Sequence, residues 1–290
     1  MTEFLQEVLL DGLIDTAKLL PFLFLTYLVM EFIEHRAAAK AERLLLRVGR
    51  FGPLLGGLFG AVPQCGFSVA AANLYAGHLL TAGTLVAVFL STSDEMLPLL
   101  LSGGVRWQTI LLLIGGKAAV GILVGFLFDL LFRRRGKEDS ELHIDELCDK
   151  DGCHCERGIL RSALHHTLHI TVFLLLVTLA INTLVFFIGA ERLSAVMSSL
   201  PGVSHTIAAL FGLIPNCAAS VALTQFWMDG IITAGTMLAG LLPGAGLGLL
   251  VLFRVNPRLR ENLLILAVLV ACGVGFGVLA DVTGFSALLS

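Results

Sequence analysis

Two adjacent carboxylates, Asp94 and Glu95, lie inside an otherwise uncharged run from Leu79 to Leu101. Ionisable side chains deep in such a run cost roughly 2.5–3.5 kcal/mol each to insert into a bilayer, and they normally face a cavity or a partner. Their chemistry is that of a cation ligand or a proton carrier. The plainer alternative is an ion pair with Lys117, which stands near the middle of the next apolar run.

A second group sits at two breaks in apolar sequence, Pro63-Gln64-Cys65-Gly66 and Pro215-Asn216-Cys217, with Ser68 and Ser220 one turn further on. Each break supplies a sulfur, an amide oxygen and a hydroxyl. Thiolates select soft ions such as Zn(II), Cu(I) or trivalent arsenic, whereas manganese prefers carboxylate, carbonyl and water. Cysteine is equally a small apolar residue that suits a crowded helix start. Asn73, Thr84, Thr224, Gln225 and Thr236 either extend a polar pathway or bond between helices.

A third group, His143, Cys148, Cys153, His154 and Cys155, falls within 13 residues of a charged stretch. It has the donors of a tetrahedral zinc-type site, although C-x4-C-H-C is not a zinc-finger spacing. A cytoplasmic metal-capture or sensing loop and a solvated acidic linker both fit. Nearby His165, His166 and His169 share or border one helical face, as a metal face or as interfacial histidines. His35, His78 and His205 are weaker candidates.

What must position these groups is a duplicated unit. Gly60-Ala-Val-Pro63 through Ala70 recurs as Gly212-Leu-Ile-Pro215 through Ala222, displaced by 152 residues. Thr81-Ala82-Gly83-Thr84 recurs in the same register as Thr233-Ala234-Gly235-Thr236, and Gly121, Gly125 and Asp129 recur as Gly273, Gly277 and Asp281. One register held over about 70 residues marks an internal duplication. Asp94 and Glu95 correspond to Gly246 and Leu247, so the acidity belongs to one half.

The chain is 57% apolar and 14% charged, with a mean hydropathy of +0.90, which indicates a membrane protein. The 31 glycines indicate close helix packing, and Gly-x-x-x-Gly spacings leave a homodimer open. A net charge of −3 carries no nucleic-acid signal. No removable signal peptide is expected, because the start lacks a basic segment, a short apolar run and a small-residue cleavage site. Cys65, Cys217 and Cys272 fall in apolar segments, which argues against a disulfide framework.

The expected architecture is all-α and polytopic. Residues 1–132 form one membrane repeat, 133–158 a cytoplasmic loop and 159–290 the second repeat. Each repeat has three full spans plus a Pro-broken re-entrant hairpin, ten helical segments in all. In the first repeat the spans are Val8–Ile33, Leu79–Leu101 and Trp107–Phe132, with an interfacial helix at Ala37–Arg50 and the hairpin at Phe51–His78. In the second they are Leu160–Ile188, Ile231–Phe253 and Asn262–Ala280. Three crossings per unit make the repeats inverted. Arginine and lysine segregate accordingly, with 36–50, 133–161 and 254–260 inside and both chain termini outside. Fully crossing short helices leave that charge pattern unchanged. Inverted repeats with interrupted helices are the plan of secondary transporters, whose site lies where the breaks meet.

At these residues the chain resembles a family of ten-helix heavy-metal exporters, whose members are described as arsenic efflux proteins or manganese transporters. The resemblance rests on Gly60-Ala-Val-Pro63-Gln64-Cys65-Gly66, Ser91-Thr-Ser-Asp94-Glu95-Met96-Leu-Pro98, the His/Cys loop and Ala163-Leu-His-His166-Thr167-Leu-His-Ile170. It extends over nearly the whole chain. Gln64 departs from the small residue the family favours; it narrows the tip and adds an amide.

The resemblance implies an inner-membrane exporter of a metal or metalloid ion, arsenic or a divalent metal such as manganese. Protons or another ion would drive it. Gln64, Cys65, Ser68, Asp94, Glu95, Asn216, Cys217 and Ser220 are the candidate substrate ligands, with Asp94, Glu95 and Lys117 as the coupling group. No cofactor is required, and the central loop has the donors to hold a metal ion. No phosphate-binding loop, Gly-x-Ser-x-Gly or His-Glu-x-x-His occurs, and Asp94 lacks an aspartate partner in the repeat, so no enzyme is expected. The rival readings are an inverted-repeat ion channel and a membrane sensor acting through the loop.

Overall fold

The computed structural model describes residues 11–32, 51–62, 65–93, 96–132, 159–188, 203–215 and 217–284. The described residues form helices and their connections, with no strand. The first half holds α1 (Asp11–Phe32), α2 (Gly52–Gly60), α3 (Cys65–Ala76), α4 (Ala82–Ser91), α5 (Met96–Ser102) and α6 (Trp107–Phe132). The second holds α7 (Ile159–Ile188), α8 (Ser204–Gly212), α9 (Cys217–Met228), α10 (Ala234–Leu241), α11 (Leu247–Val255) and α12 (Leu259–Val282). The bounds of α2 and α8, and of α3 and α9, differ by the same 152 residues that separate the sequence motifs. The interfacial helix expected at Ala37–Arg50 and the loop 133–158 lie outside the described residues.

Among the described residues, four stretches are long and apolar enough to cross a membrane: Ala82–Ser102, Trp107–Phe132, Ala163–Ala180 and Leu259–Val282. Leu111, Leu123 and Leu130 on α6, and Leu164, Leu168 and Leu176 on α7, face outward exposed. Such a surface suits lipid, and the protein is membrane-embedded. Trp107–Phe132 has the bounds expected of it.

Two of the expected unbroken spans are interrupted. The run Leu79–Leu101 stops being helical at Ser91 and resumes at Met96, with Thr92 already extended (φ −53°, ψ 127°). The Ser91 and Thr92 hydroxyls donate to the carbonyls of Ala87 and Val88, which lets the helix end without glycine. The run Ile231–Phe253 breaks between Leu241 and Leu247, at Pro243 and at Gly246, whose positive φ of 53° suits glycine.

The repeated Thr and Asp residues fasten these pieces. Thr81 caps α4 by accepting the Thr84 N–H at 3.1 Å, while Asp129 of α6 accepts from Thr81 Oγ1 at 2.7 Å and from the Gly83 N–H at 2.8 Å. Thr233, Thr236, Gly235 and Asp281 repeat the arrangement, with the Gly235 N–H at 2.9 Å. A carboxylate at a helix N-terminus meets the exposed amides and the positive dipole end together. His205 Nε2 also meets Asp281 Oδ2 at 2.9 Å, whereas the first half has Pro53 at that place. Asp129→Ala is expected to lower stability by about 2 kcal/mol. Asp281→Ala should cost more, because His205 loses a partner; thermal unfolding midpoints in detergent would rank them, and equal shifts would contradict the extra contact.

Helix directions follow from the glycines. Gly52, Gly56 and Gly60 lie in turn against Thr84, Val88 and Ser91, so α2 runs beside α4 in the same direction. Beyond α2, α3 leads back through 77–80 to Thr81. Both ends of the α2–α3 pair therefore lie at one end of α4, and its tip lies at the other. The second half matches, with Ser204 against Thr236 and Gly212 against Gly240. Gly121, Gly125, Gly273 and Gly277 are taken up against α4 and α10 of the same chain, so these Gly-x-x-x-Gly faces are not free for a second copy.

The halves interlock by exchange. Helix α3 packs on α11 of the other half, α9 packs on α5, and the equivalent helices α1 and α7 pack on one another. Gly248 of α11 lies against the Ser68 backbone of α3, and Met96 and Leu100 share a core with Ala219, Leu223 and Phe226. Tyr27 donates to Asn73 at 3.0 Å, tying α1 to α3.

Candidate functional site

Lys117 is on α6 and only 2% exposed. Its Nζ donates to the Thr92 carbonyl at 2.5 Å and to the Leu241 carbonyl at 2.7 Å. These oxygens stand at the C-terminal ends of α4 and α10, where the last carbonyls lack partners within the helix and carry the negative dipole end. One ammonium thus answers two helix ends, one from each half. Burying a cation is costly unless it is hydrogen-bonded in this way, which explains why the lysine stands where two interrupted helices stop. The corresponding residue of the second half is Leu269, fully buried in the core that holds Phe89 and Leu242.

The ammonium lines a cavity between the breaks. Thr92 and Ser93 come from the α4–α5 break, and Gly212 and Ile214 from the α8–α9 turn. Ala219, Ser220 and Leu223 come from α9, and Gly240, Leu241, Gly244 and Gly246 from the α10–α11 break. The cavity has room for about one water molecule or a bare inorganic ion. Its polar donors among the described residues are oxygens of Thr92, Ser93, Ser220 and the helix ends, together with the ammonium.

Of the expected site residues, Lys117 and Ser220 line this cavity. The Ser220 hydroxyl donates to the Cys217 carbonyl at 2.8 Å. Cys217 is half-buried, is in no disulfide and is not among the lining residues. Ser68 is fully buried in the α3–α11 contact and does not line the cavity either. Cys65 begins α3, but its side chain is outside the described residues, as are Gln64, Asp94, Glu95 and Asn216 entirely. So are His143, Cys148, Cys153, His154 and Cys155. Among the described residues, no three His, Cys, Asp or Glu side chains gather as a metal group.

No protein-family profile, curated protein or solved structure matches this chain. The reading of the site therefore rests on its own residues.

The other polar candidates serve packing. Thr84 and Thr236 belong to the helix-start clusters, Thr224 donates to the Ser220 carbonyl at 2.7 Å, and Gln225 donates to Asp229 at 2.9 Å. Thr92, Ser93, Gly244 and Gly246 are lining residues not chosen from sequence. Pro243-Gly244-Ala245-Gly246 carried a usable signal, since proline and paired glycines interrupt a helix. Thr92 and Ser93 carried little, because hydroxyl residues are ordinary within membrane helices.

Proposed function

We propose that this protein is a secondary transporter that exports a small inorganic ion, of the metal or metalloid class, from the cytoplasm in exchange for protons. The observation that carries the reading is Lys117, whose ammonium joins the C-terminal ends of one interrupted helix from each half beside a cavity of ion size. In an inverted-repeat carrier the substrate site lies between discontinuous helices whose ends supply charge complementarity. The matching helix bounds and the return of α3 and α9 to the ends where α4 and α10 begin favour two inverted units, each with a re-entrant hairpin. The α4–α5 and α10–α11 pairs would then be interrupted crossings. Basic residues on 36–50, 133–161 and 254–260 assign those segments to the cytoplasm, with both termini outside.

Asp94 and Glu95 adjoin Thr92 and Ser93 in sequence and would supply the countercharge. Rocking of one half against the other requires the Thr92 and Leu241 carbonyls to separate, so the ammonium must release at least one of them in each cycle. The export direction and the choice of ion come from the family resemblance alone. The narrowness of the cavity favours a carrier over an open pore.

Reconstitution into proteoliposomes tests this. With a pH gradient imposed, uptake of Mn(II), Zn(II), Cu(I) or arsenite should saturate with concentration and collapse with the gradient. Asp94→Asn should abolish it while the protein still inserts. Flux linear in ion concentration and indifferent to the gradient would instead identify a channel.

A further inference from the structure

Four glycines line the cavity beside Lys117: Gly212, Gly240, Gly244 and Gly246. Packing or backbone shape accounts for three of them. A side chain at Gly212 would meet the Gly240 carbonyl, one at Gly240 would meet Leu223 and the Ala208 carbonyl, and Gly246 has a positive φ of 53°. Gly244 has neither reason. It is not among the glycines at positive φ, and a Cβ built on it would stand 3.4 Å from the carbonyl oxygens of Gly212 and Gly240 and 3.5 Å from that of Leu241, ordinary contact distances. Alanine there fits the fold. What it fills is the cavity, since residue 244 lines a space of about one water molecule, roughly the size of a methyl group.

We propose that Gly244 is the specificity-determining position of this cavity: the side chain it lacks leaves room for a desolvated cation bound through carbonyl oxygens. Gly212 and Leu241 are the last residues of α8 and α10, so their oxygens stand at the negative ends of two helices. The preference for positive charge is already visible, because the Leu241 oxygen accepts from the Lys117 ammonium at 2.7 Å. An arriving ion and the ammonium contend for that oxygen. Carbonyl oxygen suits hard ions such as Mg(II), Ca(II) and Mn(II), whereas Cu(I) seeks sulfur. The counterpart of Gly244 in the first half is Thr92, which carries a side chain, so the two breaks are not alike. The inference rests on the transport reading of the cavity and names the kind of ion it admits.

The test is Gly244→Ala in the full chain in detergent, with Mn(II) as the probe because its electron paramagnetic resonance signal falls as the free ion is taken up. Relative to wild type, the variant is expected to bind Mn(II) at least about tenfold more weakly, the effect of overfilling a packed site. Its melting midpoint should stay within about 2 °C of wild type. Lys117→Met should keep or tighten Mn(II) binding, since the competing ammonium is gone, even where uptake is lost. Unchanged Mn(II) affinity in Gly244→Ala, or a wild-type protein that binds no Mn(II), would overturn the proposal. So would a midpoint lowered by more than about 5 °C, because packing would then explain the glycine. Weaker binding in Lys117→Met would remove the contest for the Leu241 oxygen. Proteoliposomes separate this inference from the transport reading. Gly244-dependent binding without gradient-driven uptake would sink the carrier and leave the subsite, whereas normal uptake by Gly244→Ala would sink the subsite and leave the carrier.

Discussion

Lys117→Met is expected to reduce ion uptake by at least about 100-fold, roughly the loss of 2.7 kcal/mol of stabilisation. Methionine fills most of the volume but donates nothing, so the Thr92 and Leu241 carbonyls lose the donor they share. A buried acceptor left without its donor costs about 1–3 kcal/mol. The unfolding midpoint should therefore fall by several degrees, since about 1 kcal/mol moves a chain of this size by roughly 2–4 °C.

Lys117→Arg should rescue the charge without rescuing uptake. A planar guanidinium on a longer stem is not a substitute for a compact ammonium held between two oxygens beside a cavity of about one water molecule. Uptake assays alongside melting curves separate the roles: a variant that melts early but transports normally would make Lys117 a structural tie only. Wild-type values for both would remove the central observation.

The second large effect is steric. A side chain on Gly212 would run directly into the backbone carbonyl of Gly240, and one on Gly240 into the Leu223 side chain and the Ala208 carbonyl. The Leu223 methyl could turn aside, but the Gly240 and Ala208 carbonyls are backbone, so α8 and α10 would have to separate. Gly212→Leu is expected to leave no folded protein, and Gly212→Ala to cost about 3 kcal/mol, the upper range for overpacking a core. The comparison is Gly116→Ala on α6, where the added methyl meets open space. There alanine should be neutral or stabilising by up to about 1 kcal/mol, because glycine is the poorer helix former. Fluorescence-detected size exclusion of the three variants would show this directly, and a monodisperse Gly212→Leu peak at normal yield would contradict the close approach.

Much of this arrangement was legible from residue order because the duplication repeats its determinants. The Pro63 and Pro215 breaks and the matched helices around them could be read from the motif itself. The interruptions at Thr92 and Pro243 escaped because length and hydropathy report burial and say nothing about continuity. A break satisfied by hydroxyl-to-carbonyl bonds, as at Ser91 and Thr92, leaves the apolar run intact. Duplication also hides local chemistry where the copies diverge. The turn after α9 uses Gly230 at φ 72°, while the turn after α3 holds His78 at φ 58°, a conformation that argues for glycine and that its sequence does not announce. The partners of Lys117 were unreadable for a different reason. Two of them are main-chain oxygens, 25 and 124 positions away, and any residue type supplies one.

The exchanged packing of α3 on α11 and of α5 on α9 bears on how the chain is made. During synthesis the α2–α3 pair emerges more than 150 residues before the helix that covers it. The chain must therefore be made as far as α11 before that pair can dock. Until then the short α2–α3 pair lacks the partner that covers it, so this part of the fold is assembled late rather than helix by helix.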